Sequence, residues 1–135
     1  MNATLLRARV LLADDHPGAL AQAASLVSTD HDVSGTVKNG TELLEAAHRL
    51  NPDIIVLDIS MPDIDGFEVA RRLKRAGCRS KLVFLTVWED PDFAREAMAL
   101  GAKAYVVKSR LASDLIRAIS EALQERIFVS PTLTL

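Results

Sequence analysis

The chain has 135 residues, of which 49% are hydrophobic and 25% are charged. This length and mixture are typical of one globular domain with a hydrophobic core, and they leave too little chain for two full domains. The 16 basic and 18 acidic residues give a formal net charge of −2. That balance argues against a domain that binds nucleic acid through bulk positive charge.

No apolar run approaches the roughly 18 residues that cross a bilayer. The first residues also lack the charged start, apolar stretch and cleavage site of a secretory signal. We therefore expect a soluble, cytoplasmic protein without a membrane partner. The one cysteine, Cys78, has no second thiol for an internal disulfide or a shared metal ion, and we interpret it as a structural residue.

Short apolar runs alternate along the chain with segments in which apolar residues have helical spacing. In chain order, the predicted elements are a strand at 9–13, a helix at 19–27, a strand at 33–37, a helix at 41–50, a strand at 54–57, a helix at 67–76, a strand at 82–85, a helix at 93–100, a strand at 104–107 and a helix at 112–124. This alternation predicts a doubly wound α/β domain with a five-stranded parallel sheet and five helices.

Local residue types support the bounds of two helices. Asp90 followed by Pro91 indicates the start of the fourth helix, because a capping carboxylate and a first-turn proline are common there. Gly77 and Gly101 indicate the ends of the third and fourth helices, since glycine readily adopts the backbone conformation that terminates a helix.

Polar side chains follow four of the five predicted strands. Asp14 and Asp15 follow the first strand, Asp58 the third, Thr86 the fourth and Lys108 the fifth. Each one alone could be an ordinary helix cap, turn residue or solvated residue. In a doubly wound sheet, ligands bind at the carboxyl ends of the strands, near the point where strand order reverses. We therefore expect these side chains to meet in one crevice.

The predicted crevice contains three carboxylates, which repel one another unless a cation neutralises them. The candidate ligands are oxygen atoms, which favours Mg²⁺ over softer metal ions. The three histidines lack the spacing of zinc ligands. His16 lies beside the acidic pair and could contact a ligand, but we favour its interpretation as a residue at the start of a helix.

A metal-loaded carboxylate beside a lysine and a hydroxyl group indicates phosphoryl transfer to the carboxylate itself. Asp58 is the expected nucleophile, Lys108 would neutralise phosphoryl oxygens, and Thr86 would donate a hydrogen bond. The chain carries neither a Gly-x-x-x-x-Gly-Lys-Ser/Thr nor a Gly-x-Gly-x-x-Gly sequence. We therefore expect the phosphoryl donor to be a partner protein or a small phosphorylated molecule rather than a bound nucleotide.

These residues resemble the receiver domain of two-component response regulators over residues 9–124, nearly the whole chain. The resemblance rests on the acidic pair, the segment LDISMPDIDG at 57–66, Thr86, and Tyr105 three residues before Lys108. It implies a flavodoxin-like fold. It also implies a signalling protein rather than an enzyme, whose only chemistry is its own phosphorylation and dephosphorylation.

The resemblance implies a ligand set for Mg²⁺ and an acceptor for the phosphoryl group. Asp58 would accept a phosphoryl group from a sensor histidine kinase and would also face the metal. Asp15 would ligate Mg²⁺ directly, Asp14 mainly through water, and Ser60 through its backbone carbonyl.

The resemblance further implies a switch. Lys108 would pair with the phosphoryl group, Thr86 would move towards it, and Tyr105 would turn inward into the space that Thr86 leaves. The surface formed by the fourth helix, the fifth strand and the fifth helix would change as a result.

Three positions depart from the commonest pattern of the family. Ser109 follows Lys108 where many relatives have proline, and Val87 is bulkier than the usual small residue, so we expect it to narrow access to Asp58. Trp88, two residues after Thr86, is large. We expect it either to shield the phosphoryl group from water or to contact a partner.

The segments 9–17, 101–105 and 127–131 resemble the NarL/LuxR subgroup, whose receivers precede a helix-turn-helix DNA-binding domain. We therefore divide the chain into an N-terminal extension at 1–8, a receiver domain at 9–125, and a tail or start of a linker at 126–135. The expected function is control of transcription, with DNA contacted only by an output domain that is not in this chain. A stand-alone regulator is the other interpretation.

Two alternative functions stay open: an interaction module that works without phosphorylation, and a Mg²⁺-dependent phosphohydrolase with an aspartyl phosphate intermediate. The second is less favoured, because Ser60 stands where such enzymes carry a second aspartate.

A homodimer is expected through one of two surfaces. The first consists of the fourth helix, fifth strand and fifth helix. The second pairs the first helix with the fifth, where four alanines would permit close approach: Ala19, Ala21, Ala23 and Ala24.

Overall fold

One parallel sheet of six strands organises residues 7–133, which are the part of the chain that a computed structural model describes. The elements in chain order are β1 (Arg9–Ala13), α1 (Pro17–Asp30), β2 (Asp32–Val37), α2 (Gly40–Leu50), β3 (Ile54–Leu57), α3 (Gly66–Arg75), β4 (Lys81–Thr86), α4 (Pro91–Ala99), β5 (Ala104–Val107), a short 3₁₀ turn (Lys108–Arg110), α5 (Leu111–Leu123) and β6 (Phe128–Val129). The first six residues of the predicted extension at 1–8 and the last two of the tail lie outside the described residues.

The order of the strands across the sheet is β2-β1-β3-β4-β5-β6. Helices α2, α3 and α4 cover one face of the sheet, and α1 and α5 cover the other, so each face carries its own apolar core. Successive side chains of a strand point to opposite faces, which is why the inner strands are apolar throughout. Strand order reverses between β1 and β3, and the site described below lies at that edge.

The five predicted helices and the five predicted strands are confirmed in type and order, with bounds that differ by a few residues. Helix α1 begins at Pro17, earlier than the prediction of residue 19, because proline occupies its first turn. Asp90 caps α4 as predicted, and its side chain accepts a hydrogen bond of 2.9 Å from the backbone N–H of Asp92. Gly77 and Gly101 adopt positive φ angles of 75° and 92° just after α3 and α4.

The prediction of five strands is wrong, because the structure has six. Strand β6 lies within the segment 126–135 and pairs in parallel with β5. The backbone N–H of Phe128 donates to the carbonyl of Lys103 (3.0 Å), and that of Ser130 donates to the carbonyl of Tyr105 (2.9 Å). A two-residue strand is too short to produce a periodic pattern in the sequence, and it forms here because it satisfies backbone groups along the edge of β5.

Close packing at Gly66 fixes the backbone after β3. Gly66 begins α3, and a side-chain carbon at this position would lie 2.3 Å from the carbonyl oxygen of Asp58 and 2.9 Å from the Cα of Ile59. Its N–H also donates a 2.7 Å hydrogen bond to the carbonyl of Ile59. Only glycine allows this approach, which holds the main chain of Asp58 against the start of α3.

The helices of residues 7–133 are all too short or too polar to cross a membrane.

Candidate functional site at the switch point

Four acidic or imidazole side chains converge where strand order reverses. Asp14, Asp15 and His16 follow β1, and Asp58 follows the adjacent strand β3. One ligand atom from each of the four lies within 4.8 Å of the others. Asp58 and Asp14 are only 1% and 4% exposed, whereas Asp15 and His16 face solvent. The cluster therefore has a buried half and an open half.

Lys108 supplies the positive charge that faces the buried carboxylates. It extends from the turn after β5, and its Nζ lies 2.9 Å from Asp58 Oδ2, to which it donates a hydrogen bond. The same Nζ lies 2.8 Å from Asp14 Oδ2. The three side chains are almost fully buried, so this is an ion pair in which one ammonium group bridges two carboxylates from different strands.

The pairing stabilises the protonated form of Lys108. Burial lowers the pKa of its ammonium group, but the contacts with Asp14 and Asp58 outweigh burial and raise that pKa above its ordinary value of 10.5. Because the folded-state pKa is the higher one, the pairing contributes its full stability below pH 10.5. That contribution is lost as the pH rises through the folded-state pKa.

The donor set fits a hard divalent cation. Three carboxylates face a single ammonium group, so the cluster keeps an excess of negative charge. Asp14 Oδ2 is buried and pairs with Lys108 Nζ without a well-directed hydrogen bond. Carboxylate oxygens at this density are typical ligands of Mg²⁺. Asp14, Asp15 and Asp58 could therefore hold such an ion together.

His16 belongs to the cluster as well as to the start of α1. It occupies the cap position of α1, as the sequence analysis predicted, but its side chain does not cap the helix. Instead, Nδ1 lies 3.3 Å from Asp14 Oδ1, 3.4 Å from Asp15 Oδ1 and 3.3 Å from Lys108 Nζ. The sequence analysis favoured the helix-start role over a contact with a ligand, and the structure shows that His16 both begins the helix and lies against the acidic pair.

Hydrogen bonds anchor the loop that follows Asp58. The backbone N–H of Ser60 lies 3.4 Å from Asp58 Oδ1. Further along the loop, the carboxylate of Asp63 accepts hydrogen bonds from the N–H groups of Gly40 (2.8 Å) and Thr41 (3.0 Å) and from the Thr41 hydroxyl. The Thr41 hydroxyl is the main cause that lowers the pKa of Asp63. These bonds attach the loop to the start of α2.

Thr86 ends β4 and Tyr105 lies in β5, and within residues 7–133 the side-chain hydrogen bonds of both lead to Trp88 rather than to Asp58. Thr86 is buried, and its Oγ1 accepts a long hydrogen bond of 3.5 Å from the Trp88 N–H. Tyr105 is fully buried, and its hydroxyl donates a 2.7 Å hydrogen bond to the Trp88 carbonyl. Burial, with the nearby charges of Asp58 and Asp90, raises the pKa of Tyr105 above its usual range, so the phenol is a neutral donor.

Trp88 connects the loops that follow β3 and β4. Its Nε1 donates a 3.0 Å hydrogen bond to Ser60 Oγ, and its ring packs edge-on against Phe93 with centroids 5.6 Å apart. The residue is 45% exposed, so one side of the indole faces solvent. Val87, beside it, is 58% exposed. No sequence pattern indicated the contact between Trp88 and Ser60.

The structure therefore brings Asp14, Asp15, Asp58 and Lys108 into one site, as predicted. The fold and the site together define the class of protein, a doubly wound α/β domain with an acidic site where strand order reverses. The family model of the response regulator receiver domain matches residues 10–120. The chain belongs to that family.

Relatives that match the chain include transcriptional regulators and response regulators such as NarL, in agreement with the resemblance. The transcriptional regulatory protein YvfU of Bacillus subtilis (strain 168) is 34% identical over 128 residues, which cover 93% of this chain and 64% of the relative. The nitrate/nitrite response regulator NarL of Escherichia coli (strain K12) is 31% identical over 129 residues, which cover 94% of this chain and 60% of the relative. The chain thus spans less than two thirds of the length of these relatives.

A solved structure supports the same assignment. The crystal structure of a LuxR-family two-component response regulator from Aurantimonas sp. SI85-9A1 superposes with a TM-score of 0.88 at 28% sequence identity. The superposition covers 93% of this chain and 91% of that one.

We predict that Lys108→Gln destabilises the metal-free protein at neutral pH by about 3–5 kcal/mol, because it leaves two buried carboxylates without their cation. Chemical unfolding in EDTA measures this loss. The control is Lys81→Gln, which removes a more exposed ion pair with Glu125 and should cost less than about 1 kcal/mol. Equal losses in the two variants would contradict the role given to Lys108.

Proposed function

We propose that this chain is a phosphoacceptor switch in which Asp58 takes a phosphoryl group from a sensor histidine kinase. The observation that carries the proposal is the 2.9 Å contact between Lys108 Nζ and the buried Asp58 Oδ2, with Asp14 and Asp15 beside it. A nucleophilic carboxylate is thereby held next to a fixed cation and a cluster of metal-binding oxygens.

In the proposed site, the carboxylates of Asp15 and Asp58 would hold Mg²⁺, together with the backbone carbonyl of Ser60, and Asp14 would contribute mainly through water. When bound, this ion neutralises negative charge on the phosphoryl oxygens. The excess of negative charge that remains when Lys108 is paired with Asp14 and Asp58 supports the assignment of a further cation to the cluster.

In the proposed transfer, a carboxylate oxygen of Asp58 forms a bond to phosphorus. The bond between phosphorus and the donor nitrogen breaks, and its electron pair stays with the donor imidazole. Lys108 orients the phosphoryl group by pairing with its oxygens, and Thr86 moves towards the group to donate a hydrogen bond. The chemistry is thus confined to the chain's own aspartate, as expected for a signalling protein rather than an enzyme with a separate substrate.

The proposed switch depends on the hydrogen bonds around Trp88. Movement of Thr86 towards Asp58 would break its long bond to the Trp88 N–H. Tyr105 is already buried, and its hydroxyl holds the Trp88 carbonyl from inside the domain. In this proposal the inward turn expected of Tyr105 is therefore a small movement of its ring into the space that Thr86 leaves. We propose that this changes the surface of α4, β5 and α5.

The output belongs to the proposal as well. We propose that the phosphorylated domain controls transcription through a helix-turn-helix output domain, and that it works in the cytoplasm beside its kinase. A receiver domain at 9–125 stays our proposed division of the chain, but the segment that follows is not a free tail, because β6 joins the sheet and Phe128 and Ser130 are buried against the domain. DNA is contacted only through the output domain.

Self-association through one of two surfaces is also proposed. A dimer through α4, β5 and α5 would have to include β6, which lies along the edge of β5. A dimer through α1 and α5 would use the exposed Ala21, whereas Ala23 is buried inside the domain.

Neither alternative function is favoured. Membership of the receiver family and similarity to response regulators support a phosphoacceptor. A phosphohydrolase would need a general acid at the position of Ser60, whose hydroxyl accepts the hydrogen bond from Trp88 instead.

Intact-mass analysis after incubation with acetyl phosphate tests the proposed function. We predict that the parent gains one phosphoryl group in the presence of Mg²⁺ and none in EDTA, and that Asp58→Asn gains none under either condition. Asp92→Asn, which changes an exposed carboxylate in α4, is the matched control and should behave as the parent. Phosphorylation of folded Asp58→Asn, or none of the parent from either acetyl phosphate or a sensor kinase, would refute the proposal.

The lifetime of the phosphorylated protein should depend on Trp88. Trp88→Phe keeps an aromatic ring but removes the hydrogen bond to Ser60. We predict that it shortens the half-life of the acyl phosphate in Mg²⁺ by about fivefold, because the loss of a hydrogen bond worth ~1 kcal/mol changes a rate by that factor. Trp88→Ala should shorten it further, because water then reaches the acyl phosphate more easily. The control is Asp92→Asn, which changes an exposed carboxylate in α4 and should leave the half-life unchanged. Unchanged half-lives in both Trp88 variants, measured by loss of phosphoryl mass, would rule out shielding.

A further inference from the structure

A buried polar network lies outside the acidic site, between α5 and the segment that follows it. Ser130 is fully buried, and its Oγ donates a 2.8 Å hydrogen bond to Asp114 Oδ2. The same Oγ accepts a 3.1 Å hydrogen bond from the Val107 N–H. Asp114 is buried too, and it accepts two hydrogen bonds from the Arg110 guanidinium (2.8 and 3.2 Å). A buried carboxylate is tolerated only with such partners.

This network holds both ends of the turn that carries Lys108. Val107 is the last residue of β5 and directly precedes Lys108, and its N–H is bound by Ser130. Arg110 ends the three-residue 3₁₀ turn, and its side chain is bound by Asp114. The lysine that reaches Asp14 and Asp58 therefore extends from a turn that Ser130 and Asp114 clamp on either side.

The same serine attaches the following segment to the domain. We call residues 128–133 the C-terminal strap. The strap is held by the backbone hydrogen bonds of β6 and by the Arg117 guanidinium, which lies 5.3 Å from the centre of the Phe128 ring. Leu133 adds two contacts: its N–H donates to the Ser130 carbonyl (3.0 Å), and its side chain packs on the apolar core. A two-residue strand forms few bonds, so the two side-chain hydrogen bonds of Ser130 are a large part of what fixes the strap.

We propose that Ser130 and Asp114 are positioning residues for Lys108, and that they couple docking of the C-terminal strap to occupation of the phosphoryl site. The inference rests on the proposed function, because it requires a phosphoryl group that pairs with Lys108. Coupling between two sites is reciprocal in binding free energy. A docked strap therefore strengthens phosphoryl binding at Asp58, and an occupied site holds the strap more firmly.

The first measurement is the affinity of the full 135-residue chain for beryllofluoride, which mimics a phosphoryl group, in the presence of Mg²⁺. Trp88 is the one tryptophan of the chain and lies beside the site, so its fluorescence reports binding. We expect Ser130→Ala to weaken the apparent affinity by about fivefold or more, the lower range of typical coupling. Arg110→Gln changes a half-exposed residue and should also weaken the affinity for beryllofluoride. It replaces Ser130→Ala in the test if that variant does not fold.

The second measurement is hydrogen exchange in peptides that cover the strap. Beryllofluoride with Mg²⁺ should slow exchange at residues 128–133 in the parent and have a much smaller effect in Ser130→Ala. The matched control is Val129→Ala, which removes packing from β6 but keeps both hydrogen bonds of Ser130. A merely structural role for Ser130 would lower the melting temperature of both variants and leave the beryllofluoride affinity of both unchanged.

The outcomes separate this inference from the proposed function. If the parent binds beryllofluoride but Ser130→Ala and Arg110→Gln bind it equally well, the coupling is refuted and the proposed function stands. If the parent gives neither a fluorescence response nor a phosphoryl mass, the proposed function fails and the coupling fails with it. The coupling is supported if Ser130→Ala and Arg110→Gln bind beryllofluoride more weakly than the parent and Val129→Ala does not. It also requires that beryllofluoride slows hydrogen exchange in the strap only in proteins that keep Ser130.

Discussion

The rest of the structure depends on one ammonium group placed between two buried carboxylates. Folding brings Asp14 and Asp58 together because β1 and β3 are neighbours in the sheet and end at the same edge. Two buried negative charges at the ends of adjacent strands would repel each other and strongly oppose folding. Lys108 compensates, since its Nζ lies within 2.9 Å of an oxygen of each carboxylate. The fold can therefore keep Asp14 and Asp58 buried at the carboxyl edge of the sheet.

Lys108 connects the acidic site to strands that do not themselves carry its carboxylates. Lys108 follows β5, which is separated from β3 by β4, so its contact with Asp58 spans the top of three strands. A phosphoryl group on Asp58 would offer Lys108 a new partner and would draw Thr86 towards it. Both changes act on β4 and β5, which also carry Tyr105 and the contact with β6. A local change of charge can in this way bias packing at the far edge of the sheet.

The sequence predicted the parts of the fold and site that depend on local patterns. Apolar runs predicted five strands, and the rule that parallel strands end at one edge predicted that Asp14, Asp58 and Lys108 would meet. The sequence did not predict β6, because a strand of two residues is too short to show a periodic pattern of apolar residues. It also missed the hydrogen bond from Trp88 to Ser60 and the one from Ser130 to Asp114, since these join side chains 28 and 16 residues apart whose directions no spacing encodes.

Chemical unfolding with and without Mg²⁺, for the parent and Asp15→Asn, tests most directly whether the acidic cluster is a cation site. In EDTA, Asp15→Asn should be at least as stable as the parent, because it removes one of three repelling carboxylates. Mg²⁺ at about 100 times its dissociation constant should stabilise the parent by about 2.7 kcal/mol and the variant far less. A variant that is less stable than the parent in EDTA, or that gains as much from Mg²⁺, would contradict the account.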